Sequence, residues 1–320
     1  MRAMQWWGAL LISLVAQTLA AQPYPTRPIR LVIPYPPGGP TDFVGRTVGQ
    51  KLSQALGQQI VVDNRPGAGT IIGSELVARA APDGYTFLVA SDALPKNEAL
   101  YAKLNYDLFR DLAPVAKMAD YPIALAAYTG LPANNVRELV ALAKAKPGAL
   151  NFASVGTGTS PHLGGELFQA LAGIKLVHVP YKGTAPAVTD LISGQVHILF
   201  TSMPTVLAHV QAGRLRLLGT GGAKRSAVIP DTPPIAETLP GFDLVTWYGI
   251  FAPARTPDAI IRRLNAEIVK ALADPESHGR LAAQGLEPAP MTPEELRRYT
   301  QQDSSRWARL IKAAGIGADK

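Results

Sequence analysis

Short apolar runs alternate along the chain with stretches whose apolar residues recur every three or four positions. These are the signatures of strands and of amphipathic helices. "IRLVIPY" (29–35) reads as a strand. In "TDFVGRTVGQKLSQALG" (41–57), Phe43, Val44, Val48, Leu52, Ala55 and Leu56 share one helical face, and Gly57 is a stop signal. "QIVVDNRPGAG" (59–69) predicts a strand and a turn, "TIIGSELVARAAPDG" (70–84) a helix ending at Pro82 and Gly84, and "YTFLVAS" (85–91) a strand. This β-α-β-α-β order predicts a parallel sheet covered by helices.

The pattern then restarts. "YPIALAAYTG" (121–130) is extended and "NVRELVALAKAKPG" (135–148) is a helix stopped by Pro147 and Gly148. Strands are predicted at 150–156, 175–181, 196–202 and 215–222, with helices at 161–173, 185–195 and 204–214. A Gly- and Pro-rich loop leads to a last strand, "VTWYGIFAPA" (245–254). Two amphipathic helices follow, at 257–274 and 292–315. Two α/β units, with a late strand able to rejoin the first, predict two lobes linked by more than one crossover. A ligand would then bind in the cleft between them.

Composition narrows the class. The chain has 320 residues, 47% of them hydrophobic and 17% charged, so it can bury a large core and is not disordered. The net charge of +7 is spread out, with no Lys/Arg run of the kind that binds nucleic acid. At the N-terminus Arg2 precedes the apolar run "WWGALLISLVAQTLA", which is short for a membrane span. Thr18 and Ala20 are small residues at the −3 and −1 positions of a cleavage site, so 1–20 reads as a secretory signal peptide cleaved after Ala20. There are no cysteines, hence neither a disulfide nor a cysteine-linked lipid. The expected compartment is a bacterial periplasm.

Candidate chemistry lies at helix starts, because ligands of open α/β sheets sit at strand C-termini. "GGPTD" places Gly39 as N-cap and Pro40 at N1; "GTGTSP" (156–161) places Ser160 as N-cap and Pro161 at N1; "YKGTAP" (181–186) caps at Thr184 or Ala185. Free N–H groups and the positive end of each helix dipole suit an anion. A single capped start is only how a helix begins; three such starts point to anion binding. Asp42, at N3, favours the dipole and is placed to reach back to the Gly39 N–H. Other chemistries fail. No Gly-Lys-Ser/Thr follows "PPGGPTD", there is no GxGxxG or GxSxG, and the five histidines lack metal spacing. No catalytic residue, metal or cofactor is assigned. His162 is placed either to touch ligand or to pack, and Trp247 and Tyr248 either to wall the cleft or to fill the core.

"YPTRPIRLVIPYPPGGPTD", "VVDNRPGAGTIIG", "PDGYTFLVAS", "NFASVGTGTSPHLGGELFQALAG", "HVPYKGTAPAVTDLISGQVHILF" and "WYGIFAPARTPDAIIRRLNAEI" together resemble the Bug family. These are periplasmic solute-binding proteins, the substrate-binding components of tripartite tricarboxylate transporters. The resemblance spans essentially the whole mature chain. It implies an α/β fold of the two-lobed periplasmic binding-protein class (type II-like). Each lobe would be a mixed or parallel sheet flanked by helices, with two crossovers: 21–122 plus 245–320 as lobe 1, 123–244 as lobe 2. It further implies a ligand carboxylate held by Tyr35, Pro37, Gly38, Gly39 and Thr41 from one lobe and by Thr157, Gly158, Thr159, Ser160 and His162 from the other. Thr184 and Ala185 would be added by the "YKGTAPA" loop. Expected ligands are di- or tricarboxylates, acidic amino acids or aromatic acids. Expected partners are membrane permease subunits or a sensor kinase, with the receptor itself a monomer and no nucleic acid bound.

The segment "SDALPKNEALY" (91–101) departs from the family pattern, which ends in Asn-Pro-Ala-Leu-Tyr; Glu98 replaces the proline. Ser91 and Asp92 are thereby candidates for contacts beyond the shared carboxylate, with Asp92 suited to an amino or hydroxyl group, and Lys96 brings a cation nearby. A hydrolase using Ser160 and His162 is the competing class, but two residues apart at a helix start they are poorly placed as nucleophile and base.

Overall fold

The computed structural model describes residues 24–313, except 102, 155, 157, 158, 182, 227 and 228; the expected signal peptide lies outside them. The apolar strand β1 (Ile29–Ile33) is buried between β2 (Ile60–Asn64) and β3 (Thr86–Ser91) and runs parallel to both. Parallel neighbours require crossover helices, supplied by α1 (Pro40–Leu56) and α2 (Ile71–Ala78). On α1, Val44, Val48 and Leu52 recur at helical spacing and are buried against the sheet.

After β3 the chain forms α3 (Ala93–Leu100) and the short α4 (Leu108–Asp111). Sequence patterning reads 91–101 only as a polar segment. It becomes a helix because Pro95 falls in the first turn, where its missing N–H leaves no bond unmade.

The 17-residue β4 (Leu112–Tyr128) joins the lobes. Its first part, Leu112 to Pro122, pairs antiparallel with β9 (Val245–Pro253), which also pairs with β3. From Ile123 onward it pairs instead with β7 (Ile198–Ser202) and β8 (Leu215–Thr220). The first sheet is thus β2-β1-β3-β9-β4, with β10 (Glu287–Met291) also on β4. The second continues from β4 through β7 to β5 (Asn151–Ser154) and β6 (Val177–Pro180). Sequence patterning catches only the second half of β4, because Pro114, Lys117 and Asp120 interrupt the first half and its register shifts twice there. It misses β10, whose two prolines are tolerated at a sheet edge.

The second sheet is flanked by α5 (Val136–Ala145), α6 (Ser160–Ala172), α7 (Thr184–Ile192) and α8 (Met203–Gln211). After β9 come α9 (Asp258–Ala273), α10 (Pro275–Ala283) and α11 (Pro293–Ala313).

The second crossing runs beside the first. The Gly221 N–H donates to the Ile123 carbonyl at 2.7 Å, and the Leu244 N–H donates to the Gly221 carbonyl at 2.7 Å. A third element ties both lobes together: α11 buries Leu296 in the first lobe's core but Trp307 and Ile311 in that of the second. Between these, Asp303 accepts from Trp247 Nε1 (3.0 Å) and from Arg306 (2.6 Å), and Arg306 also bonds Asp243 (3.0 Å).

Candidate functional site

The two sheets meet around a cleft of about 860 Å³ lined from both lobes. Three helix starts border it. Gly39 is the N-cap of α1 with Pro40 first in the helix, as its sequence indicates. The other two begin earlier than expected, α6 by one residue and α7 by one or two: Thr159 caps α6, whose first residue is Ser160, and Gly183 (φ 125°) caps α7. Both shifts follow from extended or glycine-only backbone at the earlier residue, which is where the helical dihedrals cease.

Asp42 secures the α1 start but does not line the cleft. Its carboxylate accepts from the Gly38 N–H (3.0 Å), not from that of Gly39, and from Arg46 (2.8 Å) and Asn64 (2.9 Å). Burial pushes its pKa up, but Arg46, the Gly38 N–H and Asn64 outweigh this and hold it below the usual carboxylate value. Asp42 therefore shapes the Gly-Gly turn as an ionised brace.

Phenols and hydroxyls line the middle of the cleft. Tyr35 and Ser91 share a hydrogen bond of 2.6 Å, and Ser91 Oγ also accepts the Ala93 N–H at 3.1 Å. Burial raises the Tyr35 phenol above its ordinary range; Ser91 offsets part of this and Asp92 adds to it. Burial likewise raises Tyr248, with Tyr35, Asp92 and Tyr121 contributing, and raises Tyr121. All three stay protonated at neutral pH and keep an O–H to donate.

Between the lobes lies a charged network. Asp92, the N-cap of α3, and Lys96, four residues on, form a buried ion pair. Lys96 Nζ also donates to Ser160 Oγ of the opposite lobe at 2.7 Å, and Ser160 Oγ donates to Asp92 Oδ2 at 2.8 Å. The ammonium stands 4.4 Å from the centre of the Trp307 ring. Next to it, Asn97 Nδ2 donates to the Gly69 carbonyl (2.8 Å) and Thr70 Oγ1 (3.1 Å), fixing the loop before α2, where Thr70 holds φ 84°.

Of the residues singled out from sequence, Tyr35, Pro37, Gly39, Thr41, Ser91, Asp92, Thr159, Ser160 and Thr184 line the cleft. Thr157 and Gly158 lie outside the described residues. Gly38, Asp42, His162, Ala185 and Trp247 are not among the lining residues. Trp247 fails for a simple reason: side chains alternate along β9, so Thr246 and Tyr248 face the cleft while Trp247 is buried on the other face. Lys96, Asn97, Thr70, Tyr101, Tyr121, Ser202 and Thr246 also line it. Lys96 was expected near the cleft from its place in the departing segment; for the others only the strand alternation around Tyr248, which points to Thr246, offers a sequence signal.

His162 is buried and stacked 3.9 Å from His178, with Phe152 parallel to it. Burial first, then the His178 ring, lowers its pKa to about 4, so it is neutral at pH 7. A histidine whose folded pKa is depressed opposes folding once protonated. Its stability penalty is absent above its unfolded pKa of about 6.5 and develops as the pH falls toward about 4. His162→Phe is expected to flatten that limb of a urea-midpoint against pH curve, leaving smaller contributions of the same sign from His178 and His197. An unchanged slope would remove His162 from the acid response.

Among the described residues no group of His, Asp or Glu is arranged to hold a metal ion, and no helix is long and apolar enough to cross a membrane. The family model described as "Tripartite tricarboxylate transporter family receptor" matches residues 44–316. The chain belongs to this family. Protein BugT of Bordetella pertussis is 38% identical, over 94% of this chain and 93% of its own. A Rhodopseudomonas palustris receptor solved with adipate, Rpa4515, superposes with a TM-score of 0.77 at 33% identity, covering 92% of this chain and 99% of the other. MatC of the same organism, solved with bound malate, gives 0.72 at 31%, covering 90% and 100%. The tripartite tricarboxylate receptors are solute-binding proteins, and their solved members include periplasmic binding proteins. The two-lobed α/β architecture of this chain is theirs.

Proposed function

We propose that this receptor acts in the periplasm, captures a small carboxylate between its lobes and delivers it to a tripartite tricarboxylate-type permease. The observation that carries the reading is the convergence of the α1 start from one lobe and the α6 and α7 starts from the other on a single cleft. Unpaired N–H groups there favour an anion without a cation spent on it. The protonated phenols of Tyr35, Tyr121 and Tyr248 add neutral donors. Adipate and malate in the solved relatives support the same ligand class. In this reading Tyr35, Pro37, Gly39 and Thr41 hold the carboxylate from lobe 1, and Thr159, Ser160 and Thr184, with Thr157 and Gly158, hold it from lobe 2. Closure about the two crossings, in β4 and at the Leu244 entry to β9, then buries the ligand and presents a composite surface to the permease. A hydrolase built on Ser160 and His162 is disfavoured: Ser160 Oγ bonds Asp92 and Lys96, while His162 stacks on His178 and is not in the cleft lining.

A thermal-shift panel of mono-, di- and tricarboxylates tests this. A ligand present at a hundred times its Kd stabilises the folded state by about 2.7 kcal/mol, which reads as a shift of several degrees. Stabilisation by uncharged solutes alone would overturn the proposal.

A further inference from the structure

The charged network gives the cleft a polarity beyond its carboxylate grip. Asp92 is only 3% exposed yet lines the cleft. Its Oδ2 is taken by Lys96 Nζ and Ser160 Oγ. Its Oδ1 accepts no hydrogen bond from any described residue, and it is not among the buried polar atoms sealed off without a partner. Oδ1 is thereby the acceptor that Asp92, a residue of the cleft lining, has left to offer. Lys96, 2% exposed, is committed to Asp92, to Ser160 and to the face of Trp307. A ligand reaching this end of the cleft meets an acceptor, and Lys96, the one cation among the described residues that line the cleft, is already paired.

We infer that the receptor selects carboxylates bearing a hydrogen-bond donor, a hydroxyl or an ammonium, at the end that meets Asp92, in preference to dicarboxylates of the same length. This rests on the cleft being a carboxylate site. A second carboxylate placed against Oδ1 brings two acceptors of like charge together. A hydroxyl or ammonium supplies the proton that Oδ1 lacks. Sites built to hydrogen-bond a substrate group reject analogues that leave the site's buried polar atom unpaired.

The test is calorimetric titration of the mature protein with two matched sets. One is succinate, 4-hydroxybutyrate and 4-aminobutyrate; the other is adipate, 6-hydroxyhexanoate and 6-aminohexanoate. In at least one set a donor-ended member is expected to bind at least about 10-fold more tightly than the dicarboxylate. Comparing hydroxyl with ammonium tells which donor is used. The charge-balanced double variant Asp92→Asn, Lys96→Met is expected to lose that preference while remaining folded by circular dichroism; should it not fold, the wild-type ratios decide alone. Dicarboxylates binding as tightly as their donor-ended partners, or a preference kept by the folded double variant, would overturn the inference. So would binding of plain hexanoate when none of the six binds. Failure of every carboxylate would instead overturn the reading on which it rests.

Discussion

Gly221→Ala is expected to destabilise the protein by about 3 kcal/mol or more and to abolish carboxylate-induced stabilisation. A Cβ at this position would lie 2.2 Å from the Leu244 carbonyl oxygen and 3.2 Å from that of Ile123. Both atoms are backbone, so no side chain can rotate away. The same two carbonyl-bearing segments are the two crossings between lobes, and the Gly221 N–H and carbonyl each bridge them at 2.7 Å. Inserting a methyl group must therefore part the crossings and break hydrogen bonds that water does not readily replace there. Urea denaturation reads the stability, and the thermal shift with a bound carboxylate reads the function. Gly279→Ala is the control: it sits within α10, nothing lies within 4 Å of its added Cβ, and it should be neutral or stabilising by up to about 1 kcal/mol. An unchanged midpoint for Gly221→Ala would show that the crossings separate freely.

Lys96→Met is expected to cost about 3–5 kcal/mol, because it leaves Asp92 buried and charged without its counter-ion. Met keeps an unbranched apolar stem one atom shorter, so the loss combines the missing charge with the missing Nζ contact to the Trp307 ring. Ser160 loses its Lys96 donor at the same time, and the link between lobes weakens. The second substitution should reverse most of the loss: Asp92→Asn in the Lys96→Met background removes the stranded charge. The set of two single variants and the double, compared in urea, gives the coupling between the two residues. A loss of under about 1 kcal/mol for Lys96→Met would mean that solvent in the cleft screens Asp92 as it would a surface carboxylate.

Much of this architecture could be read along the chain. Strand β1, helix α1 and their successors follow from local periodicity and stop signals such as Gly57, whose left-handed conformation closes α1. The "GGPTD" start was legible down to its N-cap because capping chemistry involves residues within one turn. The other two helix starts around the cleft were legible for the same reason to within one or two residues. Elements whose stability comes from distant partners were not. The first half of β4 carries a proline and charged residues, and only pairing with β9 and β10 makes it a strand.

The sequence by itself determined most of the alternating strands and helices, the family and the small-residue turns that open α1, α6 and α7, because each depends on neighbours a few positions away. Only the tertiary structure decided which aromatic of "VTWYGIF" faces the cleft, since a strand's alternation fixes that two faces exist but not which one is buried. It also decided the pairing of Asp92 and Lys96 with Ser160, 64 residues beyond Lys96 in the chain. That contact requires α3 to form, α6 to begin at Ser160, and two lobes to meet, and no local pattern encodes the three together.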